Sequence, residues 1–149
     1  MNKAASPKPQ RKPLPYVLEE QIGFILRQVS QRHSTIFAEH IGGGLTPTQW
    51  AALVKLLEVG PISQNQLGRL TAMDVATIKG VIDRLTARGL TETGADPDDG
   101  RRLLVRLTKA GQLAAEKALP NAIAISDTTL GPLSPRDRET LLALLSQLR

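Results

Sequence analysis

A mainly α-helical fold with one small β wing is predicted for this 149-residue chain by three observations. Two short helical patterns between Ser63 and Arg88 are separated only by Thr71-Ala72-Met73. A charged turn, Asp96-Pro97-Asp98-Asp99-Gly100-Arg101-Arg102, comes next. The alternating run Leu103-Leu104-Val105-Arg106-Leu107-Thr108 follows it. Helix, helix, hairpin in that order reads as a winged helix-turn-helix, a shape that grips duplex DNA.

Taken in chain order, the start carries Lys3, Lys8, Arg11 and Lys12 with no acidic residue before Tyr16, and prolines at Pro7, Pro9, Pro13 and Pro15. That composition predicts a disordered, basic, extended arm over residues 1–15. The arm holds four of the +5 formal charges, so the body is close to neutral. It can reach a phosphate or a minor groove, or add only general attraction to DNA. No apolar stretch stands behind its charges, so a secretory signal is not expected. Residues 16–149 are expected to form one domain.

From Tyr16 a long helix is predicted, with Leu18, Ile22, Ile25, Val29, Ile36 and Phe37 as its buried stripe and Gly42-Gly43-Gly44 as its end. Thr46-Pro47-Thr48-Gln49 restarts helical structure with the form of a capping box and a proline at the first helical position. Trp50, Leu53, Val54 and Leu57 lie along this second helix before Gly60-Pro61 stops it. Ser63-Gln64-Asn65-Gln66 repeats the capping-box form and opens a third helix with Leu67 and Leu70 on its apolar side. Asp74 can cap the fourth. There Val75, Ile78, Val81 or Ile82, and Leu85 recur at helical spacing and are assigned to the core. Ala76, Thr77, Lys79, Gly80, Asp83, Arg84 and Arg88 are left outward. Small and cationic side chains suit the major groove, where Lys79 can meet a guanine edge or a phosphate. A helical hairpin with a solvated charged face fits the helices alone equally well.

Gly89 can end the fourth helix in the left-handed conformation, and the segments flanking residues 96–102 read as two strands. A tip with two arginines beside aspartates can push a guanidinium into a narrow minor groove while a carboxylate fixes its orientation. Arg101 is assigned that role. A polar Asp, Pro and Gly loop is also what any surface hairpin carries. Beyond the wing, Thr108 can cap a helix from Ala110 to Leu119, which Pro120 is expected to kink rather than end. Ser134-Pro135-Arg136-Asp137 caps a last helix whose Leu141, Leu142, Leu144, Leu145 and Leu148 are too many for one thin contact. A dimer interface would bury that surplus; a tightly packed monomer core is the alternative.

The chain resembles the multiple antibiotic resistance regulator (MarR) family of bacterial transcription factors. The resemblance rests on Leu45-Thr46-Pro47-Thr48-Gln49-Trp50, Asp83-Arg84-Leu85 with Arg88-Gly89-Leu90, the wing Asp96 to Arg101, and Val105-Arg106-Leu107-Thr108-Lys109-Ala110-Gly111. It covers residues 16–149. It implies a homodimer in which residues 45–111 form the winged helix-turn-helix and residues 16–44 and 112–149 supply dimerisation helices. It also implies a small molecule that relieves repression, and it places Asp99 and Arg101 on the family's Asp-x-Arg wing positions. Many members carry Thr-Arg where Lys79-Gly80 stands here, which moves the expected groove contact to Lys79. The DNA-contacting set is therefore Ser63, Gln64 and Asn65, then Ala76, Thr77, Lys79, Gly80 and Arg84, then Asp99, Arg101 and Arg102. Two recognition helices about 34–36 Å apart predict a pseudo-palindromic operator.

The two histidines, His33 and His40, fall on the apolar side of the first helix. Their seven-residue separation, about 10.5 Å along a helix, is poor for one metal ion. A pocket of Arg32, His33, Phe37, His40 and Trp50 suits an aromatic acid, because rings stack on rings and a cation answers a carboxylate. Interface histidines paired across a dimer, or a pH-sensing pair, are the alternatives. Gly23-Phe24-Ile25-Leu26-Arg27 and Gln31-Arg32-His33 are similar to regulators of aromatic-acid degradation, including those responding to nicotinate-pathway compounds, which makes 6-hydroxynicotinate a candidate effector.

Other classes find little support. The chain has no cysteine, so disulfides, thiolate metal sites and cysteine nucleophiles are excluded. No run approaches the roughly 20 apolar residues of a membrane span, and a cytoplasmic protein is expected. Asp98 and Asp99 are adjacent and diverge, and no phosphate loop or nucleophile elbow is visible, so neither catalysis nor a cofactor is expected. The remaining alternative is a winged-helix module that binds protein or DNA without any effector.

Overall fold

The computed structural model describes residues 12–149. The basic arm read over residues 1–15 lies outside them as far as residue 11, and residues 12–17 carry no helix or strand. A short 3-10 turn, Leu18–Glu20, precedes α1 (Ile22–His40), α2 (Pro47–Val59), α3 (Gln64–Leu70) and α4 (Val75–Ala87). The strands β1 (Thr91–Ala95) and β2 (Leu103–Leu107) come next, then α5 (Lys109–Thr129) and α6 (Pro135–Ser146).

Five of these helices start where the sequence puts a capping side chain. Thr46, Ser63, Asp74, Thr108 and Ser134 each accept a backbone N–H three residues on, satisfying a donor that the helix itself cannot. At Thr46 the box is reciprocal, since Gln49 also accepts from the Thr46 amide. At Ser63 only the hydroxyl half forms. The first helix differs from expectation. It begins at Ile22 rather than Tyr16, because Gln21 is extended and interrupts the spiral after the 3-10 turn.

Leu53, Leu67, Ile78, Val81, Leu85 and Val105 form the fully buried centre of the core, where α2, α3, α4 and β2 meet. Two residues assigned to that core are outside it. Val75 is 69% exposed and Leu70 48% exposed. Each sits at the end of its helix and at the edge of the apolar stripe, where no neighbouring element covers it. Leu18, Ile22, Ile25 and Val29 are likewise bare in the single chain, and only Phe37 of the expected α1 stripe is buried. α6 buries no residue at all.

The wing is an antiparallel pair with Thr93 opposite Val105 at its middle. Ile62 adds a one-residue bridge to Val105 through two backbone hydrogen bonds of 3.2 and 2.8 Å. α4 passes into β1 through a Schellman turn: Gly89, at φ 72°, donates to Thr86, and Leu90 donates back to Leu85. The start of α5 is pressed onto this turn. The Thr108 hydroxyl donates to the Gly89 carbonyl at 2.6 Å and accepts from the Gly111 amide at 3.0 Å. A Cβ on Gly111 would stand 1.8 Å from the Leu90 carbonyl oxygen, so only glycine fits there. α5 does not end at Pro120, as expected, and continues through it to Thr129, beyond the stretch to Leu119 marked out in the sequence. Proline forfeits its own N–H bond and crowds the carbonyl of the preceding turn, and Pro120 lies on the exposed side of the helix, where that turn can give.

Candidate nucleic-acid interface

The short turn Thr71 to Met73 sets α4 across α3 and leaves one polar face of α4 in solvent. Ala76, Thr77, Lys79, Asp83 and Arg84 are exposed on it, and Gly80 is half-buried. At its head the Asp74 carboxylate accepts the Thr77 amide at 2.7 Å. That hydrogen bond to the backbone holds the Asp74 carboxyl below the usual carboxylate range, with a smaller contribution from the Thr77 hydroxyl. Lys79 reaches Asp83 at 2.7 Å, with both side chains more than 60% exposed. Such a pair contributes little and leaves the ammonium free to turn to a phosphate. Arg84 folds back over Gly80, where a Cβ would lie 3.6 Å from its Nη1. The missing side chain at Gly80 makes room for the guanidinium on this polar face.

On α3, the Ser63 hydroxyl is committed to its cap at 3.2 Å, Gln64 is half-buried and Asn65 is exposed. At the wing tip, Asp96 accepts the Asp98 amide at 2.9 Å and Asp99 accepts the Arg101 amide at 3.1 Å. The aspartates therefore fold the loop through its backbone, and do not orient a guanidinium as the sequence suggested. Arg101 and Arg102 are exposed, and among the described residues neither forms an ion pair. Two free cations at the end of a stiff hairpin can reach the backbone or minor groove of a duplex that α4 has docked against.

Two features of this face were missed by periodicity. Val75, exposed in the first turn of α4, offers an apolar contact of the kind that a thymine methyl accepts. Arg88, placed outward by helical phase, turns the other way. It donates to the carbonyls of Gly43 at 2.5 Å and Gly44 at 3.3 Å and to the Gln49 side chain at 3.3 Å, tying the end of α4 to the loop between α1 and α2. Arg106 lies over Gly94, with its Nε buried and without an acceptor among the described residues.

Of the residues expected around an effector, Arg32 and His33 meet the end of α5, and Phe37, His40 and Trp50 do not. Arg32 donates to the Thr129 and Thr128 carbonyls at 2.6 and 3.1 Å, answering the negative end of α5. His33 Nδ1 is 2.8 Å from the Thr129 hydroxyl, and its ring lies 6.5 Å from that of Phe37. Phe37 belongs to the core and Trp50 packs against it. His40 is exposed, its Nδ1 bonded to Ile36 of its own helix. Among the described residues no three side chains of metal-ligating type cluster, and no helix is long and apolar enough to cross a membrane.

Comparison with known proteins decides what this arrangement is. Residues 43–102, from the glycine loop to the wing tip, match the MarR family model. The chain is 38% identical to the HTH-type transcriptional repressor NicR of Pseudomonas putida over 90% of its own length and 85% of NicR. The chain belongs to the MarR family. It is a winged-helix transcriptional regulator. Within that family, a probable transcriptional regulator from Pseudomonas aeruginosa superposes with a TM-score of 0.86 at 60% identity, covering 89% of this chain and all of that one. Bordetella bronchiseptica BpsR, whose DNA binding is regulated by 6-hydroxynicotinic acid, superposes with a TM-score of 0.85 at 39% identity over 90% of this chain and 96% of BpsR.

Proposed function

We propose that this MarR-family protein is a homodimeric, cytoplasmic repressor that holds a pseudo-palindromic operator and releases it when a small aromatic acid binds, 6-hydroxynicotinate being the first candidate. The observation that carries the DNA half is the exposed polar face of α4 standing beside a wing tip whose arginines are free of ion pairs among the described residues. The effector half is supported by the similarity to BpsR.

In this reading Ala76, Thr77 and Gly80 let α4 approach base edges closely, Arg84 and Val75 read them, and Lys79 leaves Asp83 for a phosphate. Ser63, Gln64 and Asn65 meet the backbone through α3, while Asp99 shapes the loop that aims Arg101 and Arg102. Arg32, His33, Phe37, His40 and Trp50 surround the effector, whose carboxylate competes with the Thr128 and Thr129 carbonyls for Arg32. The apolar faces left bare on α1 and α6 pack against the second copy.

Fluorescence anisotropy of the purified protein on its own upstream promoter DNA tests both halves. Specific, salt-sensitive binding that 6-hydroxynicotinate lowers at least roughly tenfold is expected. Binding that no aromatic acid alters would remove the effector half, and absence of any specific duplex affinity would remove the whole reading.

A further inference from the structure

The wing tip holds the one Asp-Gly pair in the sequence, Asp99-Gly100, and no Asn-Gly pair occurs. Both residues are exposed. Two common reasons for a glycine do not apply at Gly100. Its φ lies outside the left-handed range, and a Cβ built on it would meet nothing within 4 Å. The absent side chain serves neither the turn nor the packing, and its effect is to leave the Gly100 amide nitrogen open. Among the described residues that amide donates no hydrogen bond, although its neighbours do. Asp98 donates to the Asp96 carboxylate at 2.9 Å, Arg101 to the Asp99 carboxylate at 3.1 Å and Arg102 to the Asp99 carbonyl at 3.0 Å.

The bond from Arg101 folds the Asp99 carboxyl forward over the peptide that joins Asp99 to Gly100. The carboxyl carbon is thus held beside an amide nitrogen that lacks both a hydrogen bond and a shielding Cβ, and proximity of this kind is what an intramolecular attack requires. Asp96, the first aspartate of the same loop, cannot react so, because the next residue is Pro97, whose nitrogen carries no proton.

We propose that Asp99 is a site of spontaneous isoaspartate formation, and that the modified wing tip is a substrate for carboxyl methylation by a repair methyltransferase using S-adenosylmethionine. The Gly100 nitrogen attacks Cγ of the neutral Asp99 acid. The N–Cγ bond forms, the Cγ–OH bond breaks, and the hydroxyl leaves as water with the amide proton. Water then opens the succinimide ring at the former main-chain carbonyl. The chain now runs through Cγ, one methylene longer, and the carboxylate hangs from Cα. No further reactant is consumed, since the water released is returned. The step removes the carboxylate that accepts the Arg101 amide and shifts the carbonyl that accepts from Arg102. Its consequence rests on the repressor reading above: Arg101 and Arg102 lose their aim, and operator affinity declines as the protein ages.

The test holds the full-length protein for weeks at physiological pH and temperature, after which trypsin releases residues 89–101 as one peptide. An isoaspartyl carboxyl methyltransferase with radiolabelled S-adenosylmethionine is expected to label that peptide more strongly with age, and fragmentation is expected to place the label at Asp99. Gly100→Ala, at an open position, is expected to keep the fold and the fresh operator affinity and to slow labelling at least roughly tenfold. In anisotropy, the operator-binding fraction of the parent protein is expected to fall in step with the label, while aged Gly100→Ala keeps its own. No label in residues 89–101, label confined to another aspartate, an equal rate in Gly100→Ala, or undiminished operator binding by labelled protein would each overturn the proposal. Label at Asp99 in a protein with no duplex affinity at any age would instead remove the repressor reading and leave the modification site standing.

Discussion

Two single positions show how tightly this fold is specified. At Gly111 a methyl group would overlap the Leu90 carbonyl at 1.8 Å, and both sides of the contact are backbone. Neither can move without parting α5 from the wing. Gly111→Ala is therefore expected to cost at least about 2 kcal/mol, read as a lowered urea midpoint. At the wing tip, Asp99 and Arg101 have separable roles. Arg101→Ala removes a free cation and is expected to weaken operator binding by about 1–3 kcal/mol and to flatten its salt dependence. Asp99→Asn, which keeps an oxygen to accept the Arg101 amide, is expected to retain most of the affinity, whereas Asp99→Ala loses the turn and loses affinity with it; anisotropy at two salt concentrations separates the three. Arg88 marks what a linear pattern leaves unread. Helical phase sends its Cβ outward, but a long flexible side chain chooses its own acceptors, here carbonyls more than forty residues earlier in the chain.

Elements were legible where local chemistry decides them. A Ser, Thr or Asp that can accept from the third residue of a helix is a strong signal, and Thr46, Ser63, Asp74, Thr108 and Ser134 all act on it. The wing was legible for the same reason, through Gly89 and the polar tip. Spacing misled where an apolar residue lies beyond the packed part of its helix, as at Val75 and Leu70, or where one extended residue, Gln21, breaks an otherwise helical pattern. The one-residue pairing of Ile62 with Val105 leaves no pattern to find. The residues expected to face DNA fall at α3, on α4 and at the wing tip, while their individual partners depend on contacts distant in sequence. At the head of α4, the lowered pKa of Asp74 has a consequence for stability. Because the folded value lies below the unfolded one, the stabilisation is present above the ordinary aspartate range and is lost as pH falls through the lowered value. Asp74→Ala is expected to lower Tm at pH 7, with the gap to the parent protein holding to about pH 5 and closing below about pH 4 in thermal melts.

Over the whole molecule, the apolar surface is unevenly distributed. The winged unit has a closed core, while α1 and α6 present Ile22, Ile25, Val29, Leu142 and Leu144 to solvent in the single chain. A twelve-residue helix with nothing buried is marginal by itself, so α6 is expected to need the second copy to persist. A charge there should be disruptive: Leu142→Glu is expected to shift the protein towards monomer in sedimentation and to cost most of the operator affinity, since each half-site then binds alone. The bareness of α6 reaches further, into how the protein is kept in the cell. If folding of that helix is completed only by association, each tenfold dilution takes about 1.4 kcal/mol from the folded dimer, and Tm climbs with protein concentration. Newly made chains at low abundance would spend longer unpaired and exposed to proteases, so the protein's lifetime rises with its own level.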